Sequence, residues 1–122
     1  MIETEGLTHL HIVVADLERS LLFYETVFGM EEQYRSGPTM VFLRTPGAYD
    51  TITINEDAER AEDAGARGGV DHFGFRLKHR DDLERAIVEV EAAGGKLVER
   101  GNHAPGIPYA YVSDPDGYLI EL

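Results

Sequence analysis

The chain has 122 residues, no cysteine and a formal charge of -12, with 23 acidic against 11 basic side chains. That length suits one domain with a real core. The lack of thiols excludes disulfides and thiolate metal sites, and the excess negative charge disfavours nucleic acid and anionic membrane surfaces as partners. No apolar run approaches the ~20 residues of a membrane span. The opening Met1-Ile2-Glu3-Thr4-Glu5 has neither the basic start nor the apolar stretch of a signal peptide, so a soluble, cytoplasmic protein is expected.

Residues 7–14 alternate as a strand, with Leu7, His9, His11 and Val13 on one face and Thr8, Leu10, Ile12 and Val14 on the other. Asp16 is placed to N-cap a helix whose Leu17, Leu21, Tyr24 and Phe28 share one stripe, and Gly29 stops it. Strands are expected at 31–36, 39–44 and 50–55, separated by Gly37-Pro38 and Pro46-Gly47. Residues 56–69 carry almost no core-forming side chain. They read as an exposed connector with a short helical piece and flexibility at Gly68-Gly69.

The pattern then restarts. Residues 70–77 read as a strand with Phe73, Phe75 and Leu77 on the apolar face and His72, Gly74 and Arg76 opposite. Asp81 and Glu84 have capping-box spacing before a helix with Leu83, Ile87 and Val90 buried, ended by Gly94-Gly95. Strands follow near 96–99, 109–113 and 118–122. The last comes after the turn Asp114-Pro115-Asp116-Gly117, where Pro presets one turn position and Gly tolerates positive φ at another. In that strand Tyr118, Ile120 and Leu122 share one face, so Glu121 points to the other. Each half is therefore strand–helix–strand–strand–strand, at about 6–55 and 70–122. A period of about sixty residues suits a duplicated domain better than a solenoid.

His9 and His72 begin the first strand of each half, on the face away from the helix, and Glu121 is in the same phase in the final strand. Two imidazoles and a carboxylate on a common concavity form a facial triad for Fe2+, Mn2+, Ni2+ or Zn2+, with open positions for substrate. A single strand histidine is more often a satisfied polar residue. Repetition in both halves favours the ligand reading. His11, one pleat beyond His9, reads equally as an acid/base group or as a residue that orients a neighbour. Arg76 is a candidate partner for an anionic substrate group, and His79 reads as a solvated surface residue.

Leu7-Thr8-His9-Leu10, Val14-Ala15-Asp16-Leu17-Glu18-Arg19-Ser20, Val70-Asp71-His72-Phe73-Gly74-Phe75 and Asp114-Pro115-Asp116-Gly117-Tyr118-Leu119-Ile120-Glu121 resemble the vicinal oxygen chelate superfamily. This is the glyoxalase, bleomycin-resistance and extradiol dioxygenase group. The resemblance implies an α+β fold of two βαβββ modules forming a U-shaped mixed sheet around a metal, with helices outside. It also implies a single such domain over 1–122, His9, His72 and Glu121 as metal ligands, and a homodimer whose sites draw on both chains.

The fourth glyoxalase ligand position falls on Thr53. A neutral hydroxyl is a poor ligand and a poor base, which disfavours hemithioacetal isomerisation; Asp50 or Glu56 would replace it only after a register slip. Extradiol dioxygenases are similar in using two His and one Glu, and place a catalytic Tyr where Tyr111 falls, ten residues before Glu121. Their base histidine has no counterpart in 56–71, leaving His103, in the loop 101–106, as the residue to reach the site. Tyr111, His11 and His103 are thus the catalytic candidates. A small substrate that chelates the metal through adjacent oxygens is expected, with dioxygenase-like chemistry. The alternatives are a glyoxalase-type lyase or isomerase, a fosfomycin-type thiol transferase and a non-catalytic drug binder.

Overall fold

The structure, a computed structural model, describes residues 3, 5, 7–68 and 70–122. Met1, Ile2 and Thr4 of the N-terminal segment, Gly6 at the expected start of the first half, and Gly69 of the paired connector glycines lie outside the described residues. The first half runs β1 (Leu10–Val14), α1 (Leu17–Phe28), β2 (Glu31–Ser36), β3 (Met40–Arg44) and β4 (Ile52–Glu56). After α2 (Ala58–Ala61) the second half runs β5 (Phe73–Gly74), a 3-10 turn (Arg80–Asp82), α3 (Leu83–Ala92), β6 (Lys96–Ala104), β7 (Ile107–Ser113) and β8 (Leu119–Glu121). The strand orders are β1-β4-β3-β2 and β5-β8-β7-β6, with the first pair parallel in each. The duplication is thus real in topology. The mixed sheet is built, in its hydrogen bonding, as two four-stranded sheets.

Local chemistry sets the ends of α1. The Asp16 carboxylate accepts the Arg19 N–H at 2.9 Å, and Gly29 closes the helix in the left-handed region at φ 63°. The capping box expected for α3 does not form. The 3-10 turn satisfies its first donors through the backbone, with the Leu83 N–H on the Arg80 carbonyl, and Glu84 instead pairs with Arg100 on β6. Strand β5 is also much shorter than the expected 70–77. Among the described residues it pairs only with β8, itself three residues long, and the last ladder-like bond is Phe75 N–H to the Glu121 carbonyl.

The connector is held more tightly than its composition suggests. Ala61 is buried, and Gly65, at φ 71°, packs so closely on the 114–117 turn that a Cβ there would lie 1.6 Å from the Gly117 carbonyl oxygen. Glu56 ends β4, and its carboxylate accepts the Leu17 N–H at 2.8 Å.

One apolar cluster joins the halves, with Phe23, Tyr24, Leu43, Ile54, Val90 and Ile120 among its most buried members. Each such side chain is worth about 1.5–3 kcal/mol when removed from water. Phe28 of α1 stacks on Phe75 with ring centroids 3.9 Å apart. The polar counterpart is the turn before β8. One Asp114 oxygen accepts the N–H groups of Asp116, Gly117 and Tyr118, and the other accepts the Tyr24 hydroxyl proton at 3.0 Å. Asp116 reaches back to α1, accepting from the Ala15 N–H, Arg19 and the Ser20 hydroxyl. The Tyr118 hydroxyl donates to the Val13 carbonyl at 2.7 Å.

Burial raises the Asp114 pKa from 3.8 to about 6, outweighing the backbone N–H donors that favour the carboxylate. A carboxyl group whose folded pKa is raised adds stability that is complete below about 3.8 and is lost as pH rises through about 6. The full effect of roughly two units is at most about 3 kcal/mol. Asp114→Asn, which retains an acceptor oxygen, should flatten the stability profile between pH 4 and 7 in urea titrations. An unchanged profile would remove Asp114 as its source.

Candidate active site

Glu121 is brought to the open face of the second sheet by register. It lies opposite Tyr111 on β7 and Gly74 on β5, while its neighbour Ile120 is fully buried. Three polar groups converge on its carboxylate. His72 Nε2 stands 3.0 Å from Oε2, the Tyr111 hydroxyl donates to Oε2 at 3.3 Å, and His103 Nε2 lies 2.7 Å from Oε1. The hydrogen bond from His103 is the largest influence holding the Glu121 pKa below its ordinary value. The second nitrogen of His72, Nδ1, meets the Asp71 carboxylate at 2.6 Å, and this contact chiefly raises the His72 pKa. The aspartate thereby orients the imidazole so that Nε2 faces Glu121. Burial, then the Glu121 charge, raises the pKa of Tyr111, keeping its phenol protonated as a donor.

His103 owes its position to a bulge. The β6–β7 ladder pairs Asn102 with Pro108 and Ala104 with Ile107, leaving His103 as the extra residue. A bulge bends the strand and re-aims a side chain. The ring is then braced by Tyr109, stacked with centroids 4.3 Å apart, whose hydroxyl donates to Glu99 at 2.7 Å. Gly101, opposite Tyr109, leaves space for that ring, since a Cβ there would lie 2.9 Å from the Tyr109 hydroxyl. β6 runs to Ala104, past the 99 at which the sequence pattern stops, so His103 lies on the strand and not in a loop. Pro105-Gly106, which turns the hairpin with Gly106 at φ 76°, was the available signal. Asp71 and Tyr109 were not singled out from sequence.

The first half contributes differently. His9 is exposed just before β1, its Nδ1 2.8 Å from the Thr8 hydroxyl, and no His9–carboxylate contact within 4.0 Å occurs among the described residues. His11 is also exposed. It lines, together with His72, a cavity of about 390 Å³ between β1 and β5. Thr53 pairs in register with His11 and is 1% exposed, and its hydroxyl has no hydrogen-bond partner among the described residues. Neither suggested replacement for it is free: Asp50 accepts the Thr45 N–H and Glu56 the Leu17 N–H. Arg76 lies beyond the end of β5, exposed, so no ladder holds it on the His72 face. His79 is exposed at the start of the 3-10 turn.

Neighbouring donors on one octahedral ion, each about 2.1 Å from it, stand about 3.0 Å apart. The His72–Glu121 separation of 3.0 Å fits that edge. Among the described residues no group of three or more His, Cys, Asp or Glu side chains has metal-holding geometry, so the pair needs a further donor to complete a triad.

The model of the Glyoxalase/Bleomycin resistance protein/Dioxygenase superfamily matches residues 6–122. The chain is 31% identical over 119 residues to the metapyrocatechase of Geobacillus stearothermophilus, covering 95% of this chain and 33% of that protein. The chain thus spans about a third of the length of that relative. It is 35% identical over 127 residues to the lactoylglutathione lyase of Neisseria meningitidis serogroup A, covering 95% and 88% of the two. Among solved structures it resembles the E126Q mutant of the fosfomycin resistance protein FosX from Listeria monocytogenes, complexed with Mn(II) and 1S,2S-dihydroxypropylphosphonic acid. That match has a TM-score of 0.79 and 25% identity, and covers 98% of this chain and 90% of the other.

The orphaned Thr53 hydroxyl gives a test of the first-half wall. A buried hydroxyl without a partner costs about 1–3 kcal/mol. Thr53→Val, nearly isosteric, should therefore raise stability by about 1 kcal/mol in denaturant titrations. A loss of that size would show that the hydroxyl makes a favourable bond in solution.

Proposed function

Because the chain belongs to the Glyoxalase/Bleomycin resistance protein/Dioxygenase superfamily, we propose that it is a divalent-metal-dependent enzyme with a dioxygenase-like site. Its substrate is a small molecule that chelates the metal through adjacent oxygens. The observation that carries this reading is the gathering of His72, Tyr111 and His103 on the one Glu121 carboxylate. His72 and Glu121 are the in-chain ligands, and His9 is the third. A divalent ion held by these residues would supply Lewis acidity towards two adjacent substrate oxygens. Manganese is named for one relative, a manganese-dependent 2,3-dihydroxybiphenyl 1,2-dioxygenase, and for the FosX complex. Iron, nickel and zinc suit the same donor set.

The chain's own groups then have distinct tasks. Asp71 holds the His72 ring by its Nδ1, so that Nε2 remains aimed at the ion position. The Tyr111 hydroxyl, protonated over the working range, donates a hydrogen bond to a substrate oxygen beside Glu121. His103 Nε2, on its braced bulge, holds or accepts a proton on the same side, and His11 faces substrate from β1. Thr53 in place of a carboxylate argues against the isomerase reading, which needs a base there.

His9 is separated from Glu121 within the chain and exposed at its own strand entrance. We therefore assign it to the site of a second copy, in a homodimer. Purified protein should carry about one divalent ion per chain, and Glu121→Gln should weaken it by at least about tenfold. A protein that takes up none of the four metals, yet is stabilised by aromatic drugs regardless of chelator, would overturn the enzyme reading in favour of a drug binder. Mixing His9→Ala chains with Glu121→Ala chains should restore one tight metal site per hybrid dimer and partial activity. No restoration would place His9 outside the partner's site.

A further inference from the structure

The cavity between β1 and β5 is lined by His11 and His72 and also by connector residues, among them Arg60 and Arg67. Its volume of about 390 Å³ is in the range of small-molecule sites, commonly ~300–1,000 Å³. Leu10, Ile12, Phe73 and Leu119 supply apolar wall, while the connector brings Arg60 and Arg67 to the same space. We propose that this cavity binds the carboxylate-bearing tail of the substrate, with Arg60 and Arg67 as its anion partners. The proposal deepens the reading above and rests on it only for the oxygen-chelating end of the ligand.

The charge pattern supports that choice. In a chain of net charge -12, an organic acid is repelled at a distance, so its capture needs local cations. Arg60 makes no ion pair within 4.0 Å among the described residues. Burial raises the pKa of Tyr118 in the cavity wall, and its bond to the Val13 backbone and, more weakly, the Arg60 charge act against that rise. Arg67 has only a 3.8 Å contact to Asp63, an exposed pair four residues apart that contributes little. The other acid at the cavity, Asp71, is already engaged by His72. Tyr118 is likewise occupied with the Val13 backbone. The two guanidinium groups are thus the polar lining groups best placed to receive a ligand carboxylate, which they bind in a planar fork.

The cavity wall is also held in place. Asp57 caps α2 through the Arg60 N–H, and the close Gly65–Gly117 contact pins the chain between the two arginines. These contacts fix the backbone that carries the two arginines, whose side chains are exposed.

The test uses the full chain stripped with chelator and two probes, 3,4-dihydroxyphenylacetate and its methyl ester, titrated calorimetrically. The acid should bind at least fivefold more tightly than the ester, and the double variant Arg60→Gln/Arg67→Gln should abolish that preference. Equal binding of acid and ester, a preference that survives the double variant, or no binding of the acid would each overturn the proposal. Repeating the titrations with manganese separates the two readings. Metal should tighten acid and ester alike, and failure to tighten either counts against the metal site while leaving the arginine result to stand alone.

Discussion

The arrangement depends on the turn Asp114-Pro115-Asp116-Gly117 being locked into the start of the first helix. Asp114 gathers three backbone N–H groups and the Tyr24 hydroxyl in a nearly water-free place. Asp116 binds the first turn of α1 from the other side. Together they determine where β8 begins. Strands alternate with period two, so the starting residue decides that Ile120 enters the core and Glu121 faces outward. A one-residue slip would bury the carboxylate and expose the isoleucine.

From that constraint the site follows by register. Tyr111 is opposite Glu121 on the neighbouring strand, and β5 brings His72 alongside. The hairpin bulge then adds His103 from the far side. The four groups come from two strands, one bulge and the residue just before β5, all in the second half, held by a core that both halves share. Burial of Phe23, Tyr24 and Val90 beneath the sheets therefore supports polar geometry on the opposite face.

What was legible in the sequence was mostly local. Asp16 and Gly29 mark the ends of α1 through bonds to residues a few positions away, and both act as read. The duplicated strand order and the phase of Glu121 were also visible, because alternation and turn chemistry are local signals. What was less visible depended on distant partners. β5 stops at Gly74 because β8 is short, and no capping box forms at α3 because a 3-10 turn precedes it and takes up its first donors. His103 reaches Glu121 through a bulge in a ladder whose length the sequence reading underestimated. Gly65 clasps a turn some fifty residues later, which composition cannot express. His9 matched a ligand pattern by position, yet its location relative to Glu121 is a matter of how halves, and copies, assemble.

The central claim is that His72 and Glu121 of one chain and His9 of another hold one cation. A metal-edge anomalous difference map from crystals grown with manganese tests it most directly. The account predicts a single strong peak about 2.1 Å from His72 Nε2, a Glu121 carboxylate oxygen and a His9 ring nitrogen of a second copy. A map without a peak at Glu121, or with a peak whose ligands exclude both His72 and Glu121, would contradict it.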